Sequence, residues 1–149
     1  MSYLKKLGAS AFAVTTAAGL ALAGAPTASA ATNPYTATEA CGAGYHVINS
    51  RPAKSGSQTW ADVYLLYKTG GYNCVATIKR AFIGVATETM AGLDQDIEHP
   101  EDNFVDIGKY KYYAVAKGYT PACVSYGGWV DNANGSVTAV ATSGWGWCS

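Results

Sequence analysis

Two histidines and a dense run of carboxylates are the side chains of this 149-residue sequence best suited to catalysis or metal binding. His46 and His99 lie far apart in the chain, and no G-x-S-x-G motif supplies a nucleophilic serine. His46 falls in a short β-rich stretch, where a partly buried, hydrogen-bonding role is more common than that of a general base. The four cysteines form an even set, which argues against a free catalytic thiol. We therefore predict no catalytic residues and a protein that is not an enzyme.

The carboxylates crowd residues 94–106, where six Asp and Glu occur within thirteen positions. Three of these acids alternate as in an EF-hand calcium loop. However, His99 occupies the sixth position, where the sharp turn needs Gly, and Val105 occupies the twelfth, where a bidentate Glu is needed. An irregular calcium site is the alternative to a solvated acidic loop, and the loop is the interpretation that the composition favours. We predict no metal ion and no cofactor.

Aromatic side chains are the third group that could carry a function. Of the 11 tyrosines all but Tyr3 lie after residue 30, and so do all 4 tryptophans. On a β surface such rings can stack against sugars or line a protein contact, although they also fill small β cores. The aromatics predicted to contact a ligand are Tyr110, Tyr112, Tyr126, Trp129, Trp145 and Trp147.

The first 30 residues have the organisation of a secretory signal peptide. Two lysines precede an Ala-rich apolar stretch, and Ala28-Ser29-Ala30 provides a small-residue cleavage site. The alternative is an uncleaved membrane anchor, but a spanning helix needs roughly 20 strongly apolar residues. We predict a signal peptide over residues 1–30 and a single secreted domain over residues 31–149, with no membrane attachment after cleavage.

The charge balance argues against a polyanionic partner. The chain carries 10 basic and 10 acidic residues, and loss of the two signal-peptide lysines leaves 8 against 10, a net charge of −2. Binding to nucleic acid or to an anionic membrane surface depends on a basic patch. We therefore predict neither as a partner.

The four cysteines all follow the predicted cleavage site, so they indicate two disulfides in an exported domain. Three pairings are open. Cys41–Cys74 and Cys123–Cys148 are favoured because they close compact stretches of 34 and 26 residues. The chain-entropy model gives roughly 3.5–4 kcal/mol for loops of these lengths. A zinc site is the alternative, but it would lack the usual C-x-x-C spacing.

Short β-rich segments separated by turn residues predict an all-β fold, as a small antiparallel sandwich or barrel. The clearest signal is a hairpin of residues 60–68 and 72–79 around Gly70-Gly71. Other predicted strands cover residues 45–49, 109–117, 122–130 and 135–142. Residues 31–40 are predicted as a turn or extended arm, and residues 50–57 as a loop. Residues 81–92 are ambiguous: two interpretations stay open, strand at residues 82–83 and 85, and a short helix at residues 87–93.

Several motifs of the predicted mature chain occur together in a known family. They are Ala31-Thr32-Asn33-Pro34-Tyr35-Thr36, Cys41-Gly42-x-Gly44-Tyr45-x-Val47-Ile48, Val63-Tyr64-Leu65-Leu66-Tyr67, Gly71-Tyr72-Asn73-Cys74-Val75, Cys123-Val124-x-Tyr126-Gly127-Gly128 and Cys148. This set resembles the spore-associated protein A family of Streptomyces-type actinomycetes. The resemblance implies an exported protein found with spores and aerial growth, and it carries over no enzymatic activity or catalytic residues.

These observations favour an exported, non-enzymatic protein associated with the spore surface or the cell surface. Its expected partner is a cell-wall or spore-surface polymer or protein. One alternative is a module that binds extracellular polysaccharide through a Tyr/Trp face. Another is a secreted protease inhibitor, which would need a rigid exposed loop at residues 50–57 or 118–122.

Overall fold

A computed structural model describes residues 31–96 and 103–148. The predicted signal peptide (residues 1–30) and residues 97–102 of the acidic stretch lie outside this part of the chain. The described elements are α1 (Ala37–Cys41), β1 (His46–Ser55), β2 (Gln58–Lys68), β3 (Tyr72–Lys79), β4 (Thr87–Gln95), β5 (Phe104–Tyr110), β6 (Tyr113–Tyr119), β7 (Val124–Asp131) and β8 (Thr138–Thr142).

The strands form one antiparallel sheet in the order β5-β4-β7-β8-β1-β2-β3-β6. The two outermost strands, β5 and β6, are consecutive in the chain and pack against each other, so the sheet curls into a nearly closed barrel. The predicted all-β fold is therefore confirmed, as a barrel. Within the described ranges, no helix is long and apolar enough to cross a bilayer.

The seam between β5 and β6 is held by side chains. Asp106 of β5 accepts a hydrogen bond from the backbone N–H of Val115 in β6, with 2.9 Å between Oδ2 and N. The ring of Phe104 lies so close to Gly118 that a Cβ there would be 2.0 Å from the ring. A carboxylate and an aromatic ring thus bring the sheet edges together.

The barrel encloses the larger of two cores. Inward-facing residues such as Val63, Leu65 and Val75 are fully buried there. The smaller core lies outside the barrel, where α1 packs against β2 and β3. Both faces of β3 are therefore covered, which explains why almost all of its side chains are buried.

Helix α1 begins within the segment predicted as a turn or extended arm. Thr36 and Glu39 form a reciprocal capping box at its N-terminus. The signature is visible in the sequence as Thr followed three residues later by Glu. A disulfide between Cys41 and Cys74 fixes the helix to β3. The second disulfide joins Cys123 to Cys148, so the favoured pairing is confirmed.

Two local predictions and one of the open alternatives were wrong. Residues 50–57 are mostly strand, because Ser50 to Ser55 pair with β2. Residues 87–93 are also strand, because pairing with β5 and β7 overrides the helical propensity of their Glu, Met, Ala and Leu. Residues 109–117 are divided between β5 and β6 by a turn at Lys111 and Tyr112.

The two ends of the barrel differ. At one end the fully buried Lys79 donates hydrogen bonds from Nζ to the Val85 carbonyl (2.8 Å), Thr87 Oγ1 (2.8 Å) and the Tyr110 carbonyl (3.1 Å). This ammonium ties the end of β3 to β4 and β5. At the opposite end, Asn73 is the first inward-facing residue of β3, and a cavity opens beside it.

Candidate functional site

The six aromatics predicted to contact a ligand do not form a single face. Tyr110 and Tyr112 lie together at the β5–β6 turn. Tyr126 is almost fully buried in the barrel core, and its ring packs on Trp147 with centroids 5.4 Å apart. The other two are tryptophans. Trp129 is half-buried in β7, and Trp145 is 57% exposed near the C-terminus.

Tyr110 and Tyr112 belong to a larger cluster that we call the tyrosine groove, which consists of Tyr35, Tyr110, Tyr112, Tyr113 and Asp106. The groove encloses a cavity of about 310 Å³. The ring centroid of Tyr35 lies 5.4 Å from that of Tyr112 and 5.2 Å from that of Tyr113. With 42% of its surface exposed, Tyr35 presents part of its ring to an incoming ligand.

The N-terminal arm positions Tyr35. The side-chain amide of Asn33 donates hydrogen bonds to the carbonyls of Lys79 (3.0 Å) and Tyr112 (2.8 Å). The Asn33 amide oxygen in turn accepts from the backbone N–H of Tyr35 (3.0 Å). The Asn33 side chain therefore holds Tyr35 beside Tyr112, although the two tyrosines are far apart in the sequence.

Asp106 supplies the carboxylate of the groove. Its Oδ1 accepts a hydrogen bond from the Tyr110 hydroxyl, while Oδ2 accepts from Val115 at the seam. The hydrogen bond to Asp106 raises the pKa of Tyr110, and desolvation adds to the effect. Tyr110 therefore stays a neutral phenol at physiological pH, and its ring is held in place.

Tyr35 was not among the aromatics predicted to contact a ligand, because the N-terminal arm has no strand pattern that would place it near residue 112.

The arm also borders a wider cleft of about 580 Å³, at which Asp62 and Arg80 form an ion pair. Rings beside a carboxylate and the exposed Lys111 suit stacking and hydrogen bonding to a polar ligand.

The other residues considered for chemistry lie elsewhere. His46 is exposed rather than partly buried, and its ring lies 5.8 Å from that of Tyr67 in an edge-on arrangement. Of the acidic stretch, Asp94 belongs to β4 and Asp106 to the seam. Across residues 31–96 and 103–148, no three His, Cys, Asp or Glu side chains are grouped to hold a metal ion.

The fold and the groove define a small, disulfide-bonded β-barrel protein with a tyrosine-lined surface site. The chain is 37% identical over 134 residues to spore-associated protein A of Streptomyces coelicolor, a match that covers 87% of this chain and 82% of the relative. The chain belongs to the spore-associated protein A family.

No protein-family profile matches the chain. No solved structure matches it either. The two disulfides and the relative's name are consistent with an extracellular or surface location.

Proposed function

We propose that this protein is an exported, non-enzymatic protein associated with the spore surface or the cell surface. Membership of a family whose relative is named for its association with spores carries the proposal. The carboxylates support the non-enzymatic part of the proposal, because several of them have structural roles. Glu39 caps α1, Asp62 pairs with Arg80, and Asp106 holds the seam.

Fractionation of a sporulating culture tests this association. The full-length chain carrying a C-terminal tag is expressed in its host, and the tag is quantified in culture fluid, washed mycelium and washed spores. We expect a large share to remain on spores or mycelium after low-salt washing. A pool found entirely in the culture fluid would contradict the proposal.

The tyrosine groove favours a second candidate function, the binding of wall or extracellular polysaccharide. Sugar rings stack on aromatic faces while their hydroxyls bond to nearby carboxylates and hydroxyls. The groove offers both kinds of group, in the rings of Tyr35 and Tyr112 and the carboxylate of Asp106. In this proposal the retained ligand is a neutral or weakly charged glycan.

Pull-down on peptidoglycan, chitin and cellulose tests the second function. Tyr35→Ala and Tyr112→Ala should each weaken retention about fivefold, the loss expected for one aromatic contact. Tyr119→Ala is the matched control, because Tyr119 is 53% exposed and lies outside the groove. Absence of retention on all three polymers, or equal losses in all three variants, would exclude the groove as a glycan site.

The protease-inhibitor alternative gains no support from the structure. Residues 50–55 lie within β1, and the segment 118–122 begins within β6. Thr120, at the centre of the second segment, is fully buried. Neither segment is the protruding loop that this alternative needs.

A further inference from the structure

The open end of the barrel contains a second cavity, which we call the barrel mouth. It has a volume of about 330 Å³ and is lined by Ile48, Tyr67, Asn73, Trp147 and Cys148. It lies at the opposite end of β3 from the arm that positions the tyrosine groove. Ligand cavities are commonly found at the mouths of β-barrels, and this volume is near their lower limit.

Asn73 gives the barrel mouth an unused hydrogen-bond acceptor. The residue is only 1% exposed, and its Nδ2 donates to Thr120 Oγ1 at 2.6 Å. Its Oδ1 is buried and has no hydrogen-bond partner among the residues that the structure describes. Because a buried, unpaired carbonyl destabilises the fold, a ligand that donates a hydrogen bond to it would bind favourably.

Trp147 forms an aromatic wall of the mouth. Its backbone has a φ of 49°, a left-handed conformation that is uncommon for a bulky residue. The neighbouring disulfide from Cys148 to Cys123 and the contact with the Tyr126 ring hold it there. Backbone strain of this kind is often found at ligand sites, where the surrounding structure maintains it.

The lining restricts the chemistry of the ligand. Its side chains are apolar or aromatic, except for the amide of Asn73 and the hydroxyl of Tyr67, and none of them is charged. A sugar would find side-chain hydrogen-bond partners there only at Asn73 and Tyr67, too few for its ring of hydroxyls. A charged ligand would lack a counter-charge among the lining residues.

We propose that the barrel mouth binds a small, neutral, largely apolar molecule that has an aromatic ring and one hydroxyl or N–H group. The ring packs against Trp147 and Ile48, and the donor bonds to Asn73 Oδ1. This site is separate from the tyrosine groove, and the proposal stands independently of retention on spores or on polysaccharide.

A titration of the ¹⁵N-labelled, oxidised protein with p-cresol tests the site, with 4-methylanisole as the matched probe that lacks the hydroxyl donor. We expect p-cresol to shift the NMR signals of the Asn73 side-chain amide and the Trp147 indole N–H. The ether should bind about tenfold more weakly, because it leaves the buried acceptor unpaired. If p-cresol causes no shifts at these groups, or if both probes bind equally, the proposal is overturned.

A pair of tryptophan variants adds a second test. Trp147→Ala should weaken p-cresol binding about tenfold, whereas Trp145→Ala should leave it unchanged, because Trp145 does not line the cavity. Equal affinities in both variants would overturn the proposal. The wild-type titration gives the answer by itself if Trp147→Ala does not fold.

Discussion

Lys79 is the most unusual single residue in this structure. Long charged side chains are rarely buried without an opposite charge, yet its ammonium lies inside the barrel and bonds only to neutral oxygens. Desolvation lowers its pKa from 10.5 to about 8. Sequence reasoning assigned Lys79 to the end of a strand, but it could not reveal that the side chain points into the core.

The lowered pKa of Lys79 predicts a distinctive pH dependence of stability. Because the unfolded state binds its proton more tightly, the free energy of unfolding should rise as the pH increases through the window from about 8 to 10.5. Between pH 7 and 9.5 the Lys79 contribution should rise by about 2 kcal/mol.

Urea unfolding of the wild type and Lys79→Met measures this effect. Met has a similar length but does not titrate, so the difference between the two profiles isolates the lysine. Parallel profiles between pH 7 and 9.5 would contradict the prediction.

Gly128 illustrates a close approach inside the barrel. A Cβ at this position would lie 2.1 Å from Thr77 Oγ1 and 2.8 Å from the Met90 carbonyl. Because one of these two clashing groups, the Met90 carbonyl, belongs to the backbone, the clash is not relieved by a side-chain rotation. We therefore expect Gly128→Ala to lower the free energy of unfolding by about 1–3 kcal/mol. Gly144→Ala is the control, because a Cβ there would contact nothing within 4 Å. Similar stabilities of the two variants in thermal unfolding would show that the barrel can expand at Gly128.

At the scale of the elements, local signals predicted the β2–β3 hairpin well. Its strands were expected at residues 60–68 and 72–79, and β2 and β3 run from Gln58 to Lys68 and from Tyr72 to Lys79. Gly70 and Gly71 both adopt the positive φ that the turn requires. The sequence features that determine this hairpin all lie within one short segment, so they can be recognised without knowledge of distant contacts.

The elements that sequence reasoning missed depend on distant partners. The chain at β4 has good helix formers, and only its position between β5 and β7 makes it a strand. Dependence on distant partners also explains why the sequence predicted only part of the tyrosine groove. Tyr110 and Tyr112 are neighbours in sequence, whereas Tyr35 reaches them through hydrogen bonds that span 46 and 79 residues.

The disulfide between Cys41 and Cys74 connects α1 to the barrel, and its loss should be costly. A bridge with a sequence separation of 33 contributes about 4 kcal/mol in the chain-entropy model. We expect the double variant Cys41→Ala/Cys74→Ala to lose about 3–4 kcal/mol in urea unfolding. The matched variant Cys123→Ala/Cys148→Ala, with a separation of 25, should lose slightly less. A loss below 1 kcal/mol in the first variant would show that α1 stays docked without the bridge.

For the molecule as a whole, the strand order predicts cooperative unfolding. The pairs β3–β6, β4–β7 and β1–β8 each join strands that are separated along the chain, so no half of the sequence can complete a sheet alone. We expect urea unfolding followed by near-UV and far-UV circular dichroism to give a single, coincident transition. Two separated transitions would indicate that part of the barrel folds independently.

The seam between β5 and β6 has a consequence for self-association. A sheet whose last two strands are joined by side chains retains two edges at which the strand of another chain could add. Asp106 occupies one of these edges by bonding to Val115, and Phe104 covers Gly118 beside it. The Asp106 carboxylate therefore occupies a backbone N–H of β6 that an added strand would need. The same contact that closes the barrel thus also opposes edge-to-edge aggregation of separate chains.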